Sequence, residues 1–155
     1  MNLLTSLKTL KNGLTTYRMG LLQARAYRIL KKHSSDVLFT VDLSTLDWAL
    51  LGLLFDYPKG YRLNKVAELL GVEAPFVTEM VRELVRKGYV LQLRDPKDSR
   101  AKILRISEKG LTFVPIFDKT LRSRLKHLLS GLSARDLYGY IKVLEIIIKN
   151  SQQSK

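Results

Sequence analysis

Arginine and lysine are the residues with which this sequence can do chemistry on a partner: 27 basic side chains stand against 14 acidic ones, a formal net charge of +13. Guanidinium and ammonium groups in such excess point to a polyanion, whose phosphate oxygens they neutralise. One highly charged run is Arg94-Asp95-Pro96-Lys97-Asp98-Ser99-Arg100, with Lys102 just beyond it. A second set, Arg82, Arg86 and Lys87, precedes it. Other chemistries are poorly supplied. Zero cysteines exclude a disulfide scaffold, a thiolate-held zinc or iron–sulfur centre, a cysteine nucleophile and a thiol redox switch. His33 and His127 stand in no recognisable motif with a serine or paired carboxylates, and there is no Gly-rich phosphate loop. No enzyme, metal site or cofactor is therefore expected.

The elements that position these charges can be read from the distribution of charge and apolar residues. A chain of 155 residues is one compact soluble domain or two small fused modules. No apolar run approaches the ~20 residues of a membrane-spanning helix, so no membrane association and a cytoplasmic location are expected. Residues 1–35 hold seven basic residues and no acid, whereas 36–81 are net acidic. Residues 82–109 and 110–155 are again net basic, each by five. Leu3, Leu7, Leu10, Leu14, Tyr17 and Leu21 recur at steps of four and three, the narrow seam of a helix packed on another helix, ending near His33. Gly13 and Gly20 weaken that helix. Its basic, acid-free character also fits a transit peptide or a membrane-surface helix, but the seam continues beyond the usual length of a removable leader.

From Asp42 to Lys109 short helical patterns alternate with single glycines. Ser44 with Asp47 forms a capping box, opening a helix that carries Leu46, Leu50, Leu51, Leu53 and Leu54 and stops before Tyr57-Pro58-Lys59-Gly60. A second helix covers Leu63 to Leu70 and ends at Gly71. The third starts at Ala74-Pro75, buries Val77, Met80, Val81 and Leu84, and stops at Gly88. Two helices across a tight glycine turn make a helix-turn-helix. The β-prone runs Tyr89 to Leu93 and Ile103 to Ile106 then flank the charged loop Arg94 to Arg100, which makes the whole a winged helix. Such a pair addresses adjacent grooves of duplex DNA: the third helix enters the major groove, and the wing carries arginine to the narrow minor groove.

Several short motifs here follow one another in the order of a known family. Lys65-Val66-Ala67-Glu68-Leu69-Leu70-Gly71-Val72 resembles the first helix and turn of the MarR-type winged helix-turn-helix regulators. Val77-Thr78 with Val81, Leu84 and Lys87-Gly88-Tyr89-Val90 resembles their recognition helix and its exit. Asp95-Pro96-Lys97-Asp98-Ser99-Arg100 resembles their Asp-Pro-x-Asp-x-Arg wing, and Ile106-Ser107-Glu108-Lys109-Gly110 the entry to the next helix. The resemblance spans about residues 14–150. It implies a mainly α fold with a small β-wing: a DNA-binding winged helix-turn-helix at 36–109, dimerisation helices at 1–35 and 110–150, and a disordered tail at 151–155. It also implies a homodimer that regulates transcription, as a repressor on a pseudo-palindromic operator. The apolar stripe Leu111, Val114, Phe117, Leu121, Leu125 and Leu128 agrees, as does a second capping box, Ser133 with Asp136, ahead of Leu137, Ile141, Leu144 and Ile148. Folding of these stripes back onto the same chain is the competing reading. A winged helix of ~65 residues offers too little surface to cover three further amphipathic helices, and two-fold symmetry would set the recognition helices ~34 Å apart on DNA.

The candidate contacts are Pro75, Phe76, Thr78, Glu79, Arg82 and Arg86 on the recognition helix, with Arg94, Lys97, Asp98, Ser99, Arg100 and Lys102 on the wing. Arg100 is the expected minor-groove residue and Asp98 orients the wing. Arg82, Arg86, Lys97 and Lys102 are phosphate contacts, which position without specifying. The chain departs from the family pattern at Glu79, which repels phosphate and accepts at best from a cytosine amino group. It departs again at Phe76, which contacts a thymine methyl or simply packs. Ser99 and Gln92 replace frequent arginines.

The family also implies a small aromatic effector between dimerisation helices and winged helix. Tyr17, Trp48, Phe55 and Phe117 are the candidates to line such a cleft, with plain core as the alternative for all four. A winged helix used as a protein-interaction or assembly module, without operator recognition, is the competing function, suggested by Glu79 and the acidic 36–81 block. RNA binding is disfavoured because stacking aromatic motifs are absent.

Overall fold

The computed structural model describes residues 15–153. They fall into two compact units, the first ending at Arg124 and the second beginning at Leu125. In chain order the helices and strands are α1 (Thr15–Phe39), α2 (Thr45–Asp56), β1 (Tyr61–Arg62), α3 (Leu63–Leu70), α4 (Ala74–Arg86), β2 (Val90–Asp95), β3 (Asp98–Ile106), α5 (Glu108–Leu125) and α6 (Ala134–Gln153). The fold is mainly α with one small antiparallel sheet of order β1-β3-β2. Among the described residues no helix is long and apolar enough to cross a membrane.

Local chemistry explains most boundaries. Ser44 Oγ accepts from the Asp47 amide at 3.0 Å while Asp47 Oδ2 accepts from the Ser44 amide at 2.7 Å, so α2 opens with two of its orphan donors satisfied. Gly71, at φ +67°, closes α3 in the left-handed region that glycine enters without penalty. Pro75 occupies the first turn of α4, where its missing N–H costs nothing. Asp136 and Ser133 exchange bonds of 2.9 and 3.2 Å ahead of α6.

The core of the first unit joins these elements. Leu38 from α1, Leu50, Leu51 and Leu54 from α2, Val66 from α3, and Val77, Val81 and Leu84 from α4 are fully or almost fully buried with Val90 and Leu104 of the sheet. Ser107, itself buried, accepts from the Gly110 amide at 3.0 Å and donates to the Gly88 carbonyl at 2.6 Å, tying the start of α5 to the end of α4.

Several expectations change. The seam residues Leu3, Leu7, Leu10 and Leu14, with Gly13, lie outside the described residues. The helix expected to stop near His33 continues to Phe39, because nothing in Ser34 to Phe39 breaks it and Leu38 is drawn into the core; the expected boundary at 35 thus falls inside α1. The wing loop is shorter than the charged run suggested. β2 and β3 pair up to Arg94 with Lys102 and Asp95 with Asp98, with an irregularity between Arg94 and Asp95, so only Pro96 and Lys97 turn the chain. Tyr61–Arg62 adds an edge strand, β1, paired to Leu104 and Ile103. Leu128 follows the end of α5 in a turn, and Leu111 is exposed rather than on the buried stripe. Finally, α6 runs through residues 151–153, where the Ser151 hydroxyl donates to the Ile148 carbonyl at 2.7 Å, so the expected tail is partly helical.

Candidate nucleic-acid interface

Helix α4 is amphipathic in the sense a reading helix requires. Val77, Met80, Val81 and Leu84 face the core, and the opposite side presents Pro75, Phe76, Thr78, Glu79, Arg82 and Arg86 to solvent. The six candidates therefore do share one exposed helix. Phe76 is half exposed and so is not a core residue. The Thr78 hydroxyl donates to the Ala74 carbonyl at 3.0 Å, leaving its lone pairs as acceptors. Both arginines carry a carboxylate partner one turn back: Arg82 donates to Glu79 Oε2, and Arg86 pairs with Glu83 at 2.8 Å. The Arg86 hydrogen bond and charge hold the Glu83 carboxyl below its ordinary range, and Glu83 in turn raises Arg86. The helix expected to grip phosphate is thus largely neutralised from within.

The wing is positioned by a residue that sequence reading left without a role. Asp95, only 6% exposed, accepts from Arg62 Nε at 2.7 Å and Arg62 Nη2 at 2.6 Å, and from the Lys97 amide at 2.8 Å. The Lys97 amide first, and then the Arg62 guanidinium, hold its carboxyl below the usual aspartate range against the opposing effect of burial. The β2–β3 turn is therefore anchored to the N-terminus of α3. Asp98 accepts from the Arg100 amide at 3.1 Å. Arg94, Lys97, Arg100 and Lys102 are exposed along the wing, and Lys102 reaches the Gln92 side chain at 3.4 Å. Ser99 lies in β3. Arg62, Gln92, Asp98, Arg100 and Lys102 line a recess of about 400 Å³ between the wing and the start of α3. Its cationic rim suits a phosphate backbone.

The far end of α4 is held as well. Lys87, 18% exposed, donates to the Asp42 carbonyl and pairs with Asp42 Oδ2 at 2.9 Å. Asp42 sits at φ +55°, the left-handed region that aspartate tolerates better than most residues. The Lys87 carbonyl accepts from Lys109 at 2.6 Å. Lys87 and Asp42 are 45 residues apart, and nothing local signals that they meet.

Of the four aromatic residues proposed to line an effector cleft, Trp48 and Phe117 touch, edge to face with ring centroids 5.3 Å apart, Phe117 being buried in the core. Phe55 packs against that core, and Tyr17 is 66% exposed on α1. A cavity of about 700 Å³ opens elsewhere in the first unit, between the end of α1, the α1–α2 corner and α4. Phe39, Asp42, Leu46, Phe76, Glu79 and Lys87 are among its walls, and none of the four aromatics is.

Comparison with known proteins agrees with this geometry. Residues 43–102 match the model of the MarR family. A MarR-family transcriptional regulator from Rhodococcus sp. RHA1 superposes with a TM-score of 0.77 at 18% identity, over 88% of this chain and 96% of that one. A mutant MarR from E. coli complexed with operator DNA gives 0.71 at 18% identity, over 84% and 93%. CouR from Rhodococcus jostii RHA1, bound to p-coumaroyl-CoA, gives 0.76 at 20% identity, over 84% and 91%.

Proposed function

This chain carries a MarR-family domain at residues 43–102, and from that premise we propose that it is a double-stranded DNA-binding transcriptional repressor acting as a homodimer on a pseudo-palindromic operator. The observation that carries the reading is the pairing of an exposed polar helix face, Phe76 to Arg86, with a wing whose basic residues Arg94, Lys97, Arg100 and Lys102 all point to solvent. Arg100 enters the minor groove, and Lys97 and Lys102 hold phosphates. Structural similarity to a MarR protein complexed with operator DNA supports this docking.

A small-molecule effector belongs to the same proposal. CouR, a protein of the same fold, binds p-coumaroyl-CoA. The cavity against α4, at about 700 Å³, lies in the size range of ~300–1,000 Å³ usual for small ligands. It replaces the four aromatics as the place where an effector would act on the reading helix.

Fluorescence anisotropy with duplex DNA across a salt titration tests the proposal. Operator binding should weaken linearly in log salt with a slope of about −0.9 per phosphate neutralised. Arg100→Ala should cost about 1–3 kcal/mol on the operator and much less on random duplex. Equal binding of operator and random DNA, unchanged by Arg100→Ala, would return the chain to an assembly module.

A further inference from the structure

The recognition helix of a DNA-binding protein gains non-specific affinity from every free arginine it carries, and α4 gives that up. Glu79 and Arg82 are three residues apart on its outward face, 62% and 67% exposed, with the guanidinium Nη1 donating to Glu79 Oε2. We propose that Glu79 and Arg82 act as one unit that reads a G·C base pair in the major groove: Arg82 donates to guanine N7 and O6 while Glu79 accepts from the cytosine N4 amino group. This rests on the DNA-binding reading above and assigns Arg82 to a base edge rather than to phosphate.

The chemistry follows from what the pair presents. A guanidinium beside a carboxylate offers donors and an acceptor side by side. Across its major-groove edge a G·C pair shows two acceptors and then a donor, which is the complement of that unit. An A·T pair shows acceptor, donor, acceptor, so its thymine O4 would face the Glu79 carboxylate and its adenine amino group would face Arg82. Both mismatches put like against like. Phosphate is disfavoured too, because moving Arg82 to the backbone strands the Glu79 carboxylate beside a second anion. Exposed pairs at this helical spacing are weak, so the side chains separate readily when a matching base edge takes over their bonds. Phe76, one turn nearer the N-terminus and 51% exposed, places an apolar surface beside the pair, suited to the methyl of a neighbouring thymine.

Glu83 supplies the internal control. It pairs with Arg86 as Glu79 pairs with Arg82, yet the Glu83–Arg86 pair as a whole lies one turn nearer the C-terminal end of α4, further from the N-terminal part that reaches base edges in helix-turn-helix complexes. Duplexes with randomised half-sites are selected with the full chain and with Glu79→Gln, Arg82→Lys and Glu83→Gln. Each selected and random duplex is then titrated with salt. The unaltered chain should enrich G·C at one position of each half-site. Glu79→Gln should weaken that preference roughly ten-fold while tightening binding to random DNA and steepening the salt slope by about one as Arg82 is freed for phosphate. Arg82→Lys should relax the same position because lysine cannot span N7 and O6 in the same plane. Glu83→Gln should tighten random binding and leave the base preference intact. The proposal is overturned if Glu79→Gln keeps the full preference, or if Glu83→Gln relaxes the same position equally. A chain that prefers no sequence at all would sink the operator reading itself, whereas a selective chain indifferent to Glu79 would sink only this inference.

Discussion

The carboxylate of Asp95 accepts from one backbone amide and from two nitrogens of Arg62, so a single side chain decides whether the wing tip is fixed or free. Asp95→Asn keeps the size but replaces one acceptor oxygen with a donor, leaving either Arg62 or the Lys97 amide without its partner. Operator affinity should fall towards that of Arg100→Ala even though Arg100 is intact, and hydrogen exchange should quicken at the β2–β3 tip while the helices stay protected. The same residue sets an acid dependence. Its carboxyl is held below its ordinary value, so its stabilisation is complete at neutral pH and is lost as pH falls through and below the usual aspartate range. Thermal melts from pH 6 downward should show a loss in the parent chain that Asp95→Asn, which has already lost the anion, lacks.

At the scale of elements, what could be read in the sequence is what neighbouring residues settle among themselves. Ser44 with Asp47 and Ser133 with Asp136 form their capping boxes within three residues, Gly71 ends α3 alone, and the apolar spacing of α4 selects its buried face. What was not legible depends on partners far along the chain. Arg62 and Asp95 are 33 residues apart, and Tyr61–Arg62 is too short a strand to show an alternation. The surroundings of the aromatic residues depend on distant partners in the same way. Spacing shows that Trp48 and Phe117 face inward, but only packing shows that Trp48 lies edge to face against the buried Phe117 at the margin of the core. Gly110 tests how tightly these elements join. A Cβ there would lie 2.6 Å from Ile106 Cγ1 and 2.6 Å from the Tyr89 carbonyl oxygen. Helix propensity alone has Gly110→Ala stabilise α5 by up to about 1 kcal/mol. The clash reverses the sign, because Tyr89 O is backbone and cannot swing aside, and overpacking of this kind costs roughly 1–3 kcal/mol. Urea denaturation should therefore show a lower midpoint for Gly110→Ala, and a higher one would mean that the α5 start has room to spare.

Across the whole molecule, the +13 charge and the exposed apolar surface require different partners. The charge is carried on the wing and the terminal helices, while α4 offsets its own arginines, so in the proposed complex the electrostatic attraction to DNA would come mainly from outside α4. Exposed apolar side chains gather on α1 and on α6; in α6 no residue is buried and Tyr138, Tyr140, Ile141, Val143, Ile146, Ile147 and Ile148 are all exposed. Monomeric proteins rarely leave so much apolar surface in water, and the proposed two-fold operator makes a second copy the partner that fits. Ile141 and Ile148 are seven residues apart and so share one face of the helix. Replacing both with glutamate should turn a dimer at micromolar concentration into a monomer in sedimentation equilibrium. Because neither side chain is buried within its own chain, the circular dichroism of the variant should still report folded helices. The monomer should retain half-site binding through Arg100 with about half the salt slope, and lose the preference for two half-sites set one helical turn apart. A double variant that remains dimeric would place the interface elsewhere, and a parent chain that is monomeric at these concentrations would remove the symmetric operator model.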